Sequence, residues 1–195
     1  GINRVNYSMM DLPIPFIIFF LTIIGASFGS FLNVVIYRVP KKMSIAKPRS
    51  HCFTCNVPIR ALDNIPIVAY FLLGGKCKNC GAEFPSRYAF VEVITALLTI
   101  IIFVIYGLTT SFLIYLALVY LLIAITFVDI DHFIIPNGFI LTGLCILILG
   151  IQLSWIPIDW IDAASGAFVF AGFLFTIGII GQFILKKESI GFGDV

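Results

Sequence analysis

Four stretches of this chain carry no Lys, Arg, Asp or Glu: Pro13 to Tyr37, Val93 to Val128, Phe133 to Ile158 and Ala163 to Leu185. About 20 apolar residues in helical form cover the hydrocarbon core of a bilayer, where the backbone must satisfy its own hydrogen bonds. These runs therefore point to membrane-crossing helices. Val93 to Val128 is too long for one span, and Gly107-Leu-Thr-Thr-Ser111 supplies a turn in its middle, so the four runs read as about five helices. The first is read as a retained span rather than a cleavable signal, because no small-residue cleavage pattern follows it. With 61% hydrophobic and 11% charged residues, the expected class is an all-α polytopic membrane protein and not a soluble core.

Charge orients these spans. Of the 12 Lys and Arg residues, nine fall between Arg38 and Arg87, which marks that loop as cytoplasmic. Counting spans from it puts the Gly107 turn and the Asp159 loop outside, and the Asp129 segment and the Lys186 to Asp194 segment inside. The positive-inside rule accounts for the loop's charge, so no nucleic-acid partner is inferred. The lipid bilayer is the partner that composition itself names.

The basic loop also holds Cys52-Phe-Thr-Cys55 and Cys77-Lys-Asn-Cys80. Two C-x-x-C knuckles supply four thiolates, the set that closes a tetrahedral structural Zn²⁺ site, and a reducing cytoplasm disfavours the rival pair of disulfides. His51 reads as an ordinary loop histidine and Cys145 as a small buried hydrophobe. Between the knuckles, Ile65 to Leu73 is apolar but too short to span, and is expected along the membrane surface or against the zinc module. Gly25 and Gly29 have the G-x-x-x-G spacing of close helix packing. The resulting domain division is 1–37, a first membrane helix; 38–88, a zinc-binding loop; and 89–195, a membrane domain bearing the acids.

Those acids are Asp129, in Phe127-Val-Asp-Ile-Asp-His132, and Asp194, in Gly191-Phe-Gly-Asp194. Each stands at the edge of an apolar run, where an ionisable group is a functional-site hypothesis by default. Two carboxylates brought to one membrane face can share a proton and activate water. On a helix Asp129 and Asp131 differ by about 200°, so only one can face a given partner. Gly191 and Gly193 strip side chains from beside Asp194 and allow close approach of a peptide. The bland alternative is that the acids start helices as caps.

Taken in order, Gly29-Ser-Phe-Leu-Asn-Val-Val-Ile-Tyr-Arg-Val-Pro40, the two knuckles, Asp63-Asn-Ile-Pro66, Ser86-Arg-Tyr88 with Val91-Glu92, Asp129-Ile-Asp-His132 with Pro136, and Gly191-Phe-Gly-Asp194 resemble the bacterial type IV prepilin peptidases. These are prepilin leader peptidase/N-methyltransferases, aspartic proteases of the G-x-G-D type. The resemblance implies that Asp129 and Asp194 are the catalytic acids, with Asp131, Gly191 and Gly193 in support. It implies cleavage of type IV prepilin and pseudopilin leaders after a glycine, then methylation of the new amino terminus from S-adenosylmethionine, in the bacterial cytoplasmic membrane with the active site at the cytoplasmic face. The family often has an acid directly after the proline that follows D-x-D-H. Here Asn137 follows Pro136. Related proteins continue past the G-x-G-D segment through further helices, so the resemblance also implies a longer chain. A membrane-anchored zinc-knuckle adaptor is the competing expectation; it would leave both acids idle.

Overall fold

A computed structural model describes residues 13–185. It is helical: α1 Ile14–Arg38, a 3₁₀ turn Ala61–Asn64, α2 Val68–Leu72, α3 Arg87–Tyr106, α4 Thr110–His132, α5 Asn137–Gln152 and α6 Trp160–Leu185. Four of these, α1, α3, α4 and α6, are long and apolar enough to cross a membrane. The described residues fall into two units that divide between Ile146 and Leu147.

In the first unit α1 lies mainly along α3, with α4 against both. The expected break is present: Gly107 ends α3 at φ 63°, and Thr109 caps α4 by accepting the Phe112 N–H at 3.2 Å. Ile36, Val91, Phe103 and Val128 are almost wholly enclosed between the three helices. Their outer faces carry exposed Phe, Ile and Leu, as helices solvated by lipid do.

The α1–α3 seam is built on small residues. A Cβ added to Gly25 would lie 2.7 Å from the Ala96 Cα, and one on Gly29 would lie 2.6 Å from the Glu92 Cα. Backbones meet there, as the G-x-x-x-G spacing leads one to expect. Facing the glycines, Thr95 and Thr99 are fully buried yet bonded, to the Val91 carbonyl at 2.6 Å and the Thr95 carbonyl at 2.8 Å. Thr99 also meets the Tyr120 hydroxyl of α4 at 2.7 Å, which ties the third helix to the seam.

The run from Phe133 to Ile158 yields a shorter helix than expected. Phe133 turns left-handed at φ 51° and Pro136 cannot continue a helix, so α5 begins only at Asn137 and has 16 residues. Cys145 on α5 is exposed, which corrects the expectation of a buried hydrophobe. A thiol tolerates a lipid-facing position as readily as a packed one, and an apolar run does not say which face is covered. In the second unit Asp159 starts α6 by accepting the Asp162 N–H at 2.8 Å.

Candidate active site and metal centre

Asp129 and Asp131 occupy the last turn of α4. A helix C-terminus carries partial negative charge and disfavours acids, so neither can be a helix-starting cap. Their surroundings differ, as a rotation of about 200° requires. Asp131 forms a two-pronged ion pair with Arg87 at the start of α3, the two side chains being 24% and 28% exposed. Asp129 is exposed, and its carboxylate has no hydrogen-bond or ion-pair partner among the described residues. Of the two, Asp129 is the acid left free to meet a water or a peptide. Asp194, Gly191 and Gly193 lie outside the described residues.

Arg87 was not singled out from the sequence as a partner for Asp131. The two are 44 positions apart, and only the antiparallel packing of α3 on α4 brings the first turn of one beside the last turn of the other. The signal available was modest: a cation opening an apolar helix and an acid closing the next.

At the same bundle end the loop between α1 and α3 folds around its cysteines. The two knuckles repeat one geometry. The Cys52 and Cys77 amides donate to the Val57 and Ala82 carbonyls at 3.0 and 2.8 Å, while the Asn56 and Gly81 amides return to the Cys52 and Cys77 carbonyls at 2.9 and 2.8 Å. Asn56 and Gly81 take positive φ, 55° and 72°, which turns each tight loop. The Sγ atoms of Cys52, Cys55, Cys77 and Cys80 lie within 4.8 Å of one another. Cys52 and Cys80 are 3.8 Å apart, and Cys55 and Cys77 are 3.9 Å apart. These separations exclude disulfides, whose sulfurs sit about 2.05 Å apart. They match a tetrahedron with metal–sulfur bonds of about 2.3 Å, whose edges are about 3.8 Å.

The electrostatics agree with a cation-seeking set. Backbone N–H groups of Cys55 and Thr54 lower the Cys52 thiol to about 6, and the Val57 amide lowers Cys55. Cys80, although the Ala82 amide favours its thiolate, is pushed up to about 12 by burial and by the other sulfurs. The thiols therefore differ: Cys52 and Cys55 are favoured as thiolates, and Cys80 is disfavoured beside them. The cluster can thus hold a metal ion. His51 stands outside it, with Nδ1 3.1 Å from the Arg49 carbonyl.

Two buried polar side chains fasten this end of the bundle, one tying the loop to α3 and the other tying α1 to α3. Glu92, a turn and a half into α3, accepts the Ile67 N–H at 2.6 Å. That bond fixes Ile67 at φ 63°, an unfavourable conformation for a β-branched residue, and so holds the start of α2 against α3. Asn33 of α1 donates from Nδ2 to the Tyr88 carbonyl at 3.0 Å. Of the apolar stretch Ile65 to Leu73, Ala69 is buried, whereas Phe71 and Leu72 are strongly exposed.

A family model described as "Bacterial Peptidase A24 N-terminal domain" matches residues 23–106, and one described as "Type IV leader peptidase family" matches residues 116–195. The chain is 36% identical over 184 residues to a prepilin leader peptidase/N-methyltransferase of Myxococcus xanthus (strain DK1622), covering 92% of this chain and 53% of that protein. It is 34% identical over 197 residues to the "Type 4 prepilin-like proteins leader peptide-processing enzyme" of Escherichia coli O78:H11, with 89% and 71% covered. With a prepilin leader peptidase/N-methyltransferase of Neisseria gonorrhoeae it shares 33% over 213 residues, with 95% and 74% covered. The chain thus spans about half the length of the first relative and about seven-tenths of the others. No solved structure matches it significantly.

Proposed function

Because this chain belongs to the type IV prepilin leader peptidase family, we propose that it is an intramembrane aspartic endopeptidase that cuts the basic leader of type IV prepilins and pseudopilins after a glycine. The observation that carries the proposal is the contrast at the end of α4, where Asp131 is held by Arg87 and Asp129 is free. Asp129 and Asp194 form the dyad. One carboxylate, ionised, takes a proton from water as that water attacks the scissile carbonyl, and the other, protonated, gives its proton to the carbonyl oxygen; as the C–N bond breaks, the proton taken from water passes to the leaving amine and the carbonyl re-forms by returning its proton to the second carboxylate. No covalent intermediate is needed. Asp131 is a positioning residue: paired with Arg87, it fixes the last turn of α4 and so the direction of Asp129. Gly191 and Gly193 leave room for the substrate backbone beside Asp194.

The division of labour follows the sequence: residues 1–37 and 89–195 supply membrane helices, and 38–88 a loop closed by Zn²⁺ on Cys52, Cys55, Cys77 and Cys80. The metal is structural, since four thiolates fill its coordination and leave no open position. In the bacterial cytoplasmic membrane the basic loop faces the cytoplasm, and Asp129, at the same bundle end, faces it too. The substrate is an apolar helix entering sideways, unwound at the cleaved bond, with its basic leader in the cytoplasm.

The second half of the activity is methylation of the new terminal amine, a reading supported by relatives named N-methyltransferases. S-adenosylmethionine, when bound, would supply the methyl group to that amine.

The test is processing of a prepilin with a Gly-Phe junction, with and without methyl donor. Leader release by the wild-type protein and none by Asp129→Asn or Asp194→Asn is the expected result. Full processing by either variant would return the chain to the anchored-adaptor reading.

A further inference from the structure

The loop between α1 and α3 leaves one apolar surface uncovered. Leu62 on the 3₁₀ turn, Ile65, and Val68, Phe71 and Leu72 on α2 are all exposed, Leu62 and Leu72 at 80% and Phe71 at 71%. The other side of the same segment is covered: Ala69 is buried, and Asn64, Tyr70 and Leu73 line a half-open cavity shared with α1 and α3. The segment is therefore two-sided, and a continuous apolar patch of this size marks a contact with a protein or a membrane.

Its depth decides between the two. The 20 residues of α3 rise about 30 Å, which is about the thickness of the hydrocarbon core, so this helix has no length to spare. Glu92 stands five residues inside its start, about 7.5 Å along the axis. Gly29, the α1 residue packed on the Glu92 Cα, stands nine residues before α1 ends, about 13 Å. Helical side chains lean toward the amino terminus, so the Ile67 amide, 2.6 Å from the Glu92 carboxylate, is held beside the first turns of α3 and not beyond them. The start of α2 thus lies alongside membrane-crossing helices. Their length already requires a bilayer around them, and an apolar segment at their depth meets its acyl chains without any further partner.

Cations flank the patch. Arg60, just before the 3₁₀ turn, lines with Lys76 and Lys78 a half-open hollow of about 250 Å³ that Leu73 also borders. Lys76 and Lys78 pair with Glu83 and Asp63 at 3.5 Å, while Arg60 is exposed and its side chain has no partner among the described residues. Exposed pairs are worth little, so another anion can compete for these cations. We propose that the 3₁₀ turn and α2 form a foot seated in the headgroup–acyl boundary at this end of the bundle, with Leu62, Phe71 and Leu72 among acyl chains and Arg60, Lys76 and Lys78 on anionic phospholipid headgroups. The inference rests on α1 and α3 crossing the membrane and is independent of the peptidase reading. Held by Glu92 on one side and by lipid on the other, the foot fixes the cysteine loop against the membrane at the end of the bundle that carries Asp129.

The experiment uses the full, metal-loaded chain in nanodiscs of phosphatidylcholine with or without phosphatidylglycerol. Phe71→Trp in a Trp155→Phe, Trp160→Phe background gives one fluorophore on the foot, read against lipid brominated in the upper acyl chain and against acrylamide in the water. A phosphatidylglycerol carrying a photoreactive group in its acyl chain, followed by peptide mapping, tests the wild-type protein directly. Expected results are at least twofold quenching by brominated lipid, weaker quenching by acrylamide, and crosslinks within residues 61–73. Phe71→Glu and Leu72→Glu should lower those crosslinks at least fivefold, and Arg60→Gln with Lys78→Gln should remove most of the advantage of phosphatidylglycerol over phosphatidylcholine. Metal content and helical circular dichroism identify any variant that has unfolded, and the exposed Phe71→Trp change, which keeps an aromatic ring, leaves the test open if the acidic variants do. Quenching of Trp at position 71 by acrylamide and not by brominated lipid would overturn the foot. Shielding from both quenchers would mean that another protein surface covers the patch, and would overturn it as well. Equal quenching and crosslinking with and without phosphatidylglycerol would overturn the assignment of the cations to anionic headgroups.

Discussion

Replacing Gly29 by alanine tests whether the α1–α3 contact is as close as its small residues require. The new Cβ would sit 2.6 Å from the Glu92 Cα, 3.1 Å from the Val91 carbonyl oxygen and 3.2 Å from the Thr95 Cβ. Two of these are backbone atoms of a packed helix, so no side chain can swing away. To reach the 3.4 Å at which ordinary contact begins, α1 and α3 must part locally by about 0.8 Å. A gap of that size forfeits a quarter to a half of the dispersion energy of the atoms it separates, and overpacking of this kind costs about 1–3 kcal/mol. Alanine returns up to about 1 kcal/mol through its better helix propensity. The net expectation is a loss of about 1–2 kcal/mol. It can be measured by reversible unfolding in mixed micelles, with circular dichroism as the signal. Gly166→Ala is the control: nothing lies within 4 Å of its added Cβ, so only the propensity gain applies. Gly29→Ala matching Gly166→Ala in stability would refute the close-seam argument.

Other outcomes follow from the same structure. Asp129→Asn should lower prepilin cleavage by about 10²–10⁴-fold, the range lost with a general acid or base, whereas Asp131→Asn should cost far less in rate because it acts only through Arg87 and the last turn of α4; quantified leader release checks both. Purified protein should contain about one Zn²⁺ per chain by elemental analysis, and acidification should release it because protons compete for thiolates, with Cys52→Ser or Cys80→Ser losing metal at neutral pH. Tyr120→Phe removes a hydrogen bond to Thr99 but leaves that hydroxyl on the Thr95 carbonyl, so the loss should stay near about 0.5–1 kcal/mol in the same unfolding assay. Single cysteines at Lys42, Asp131 and Ser189 should label from the cytoplasmic side and those at Thr109 and Asp159 from the other; opposite faces for Asp131 and Ser189 would place about 30 Å of hydrocarbon between the dyad members and end the protease reading.

Much of this protein is local and therefore readable along the chain. The apolar runs dictate helices because a bilayer leaves the backbone no other partner, and the Gly107 turn divides the longest run where the structure divides it. Gly25 and Gly29 announce a close contact through their spacing alone, and C-x-x-C spacing announces the knuckles because each pair closes within one tight turn. The length of α5 was less legible: Phe133 in a left-handed conformation and Pro136 together delay its start, an effect a count of apolar residues does not include.

The parts that separate one acid from another were decided by tertiary packing. From the sequence, Asp129 and Asp131 differ only in helical phase, and no local rule says which meets a cation. The packing of α3 against α4 places Arg87 beside Asp131, across 44 positions, and leaves Asp129 open. In the same way Glu92 is an isolated acid until α2 folds back over 25 positions to give it the Ile67 amide, and Asn33 is an ordinary helix residue until α3 packs beside α1 and offers it the Tyr88 carbonyl across 55 positions. Helical period and turn chemistry act within a few residues, whereas the partner of a buried polar group depends on which distant helices share a face, and that is settled only when the bundle assembles.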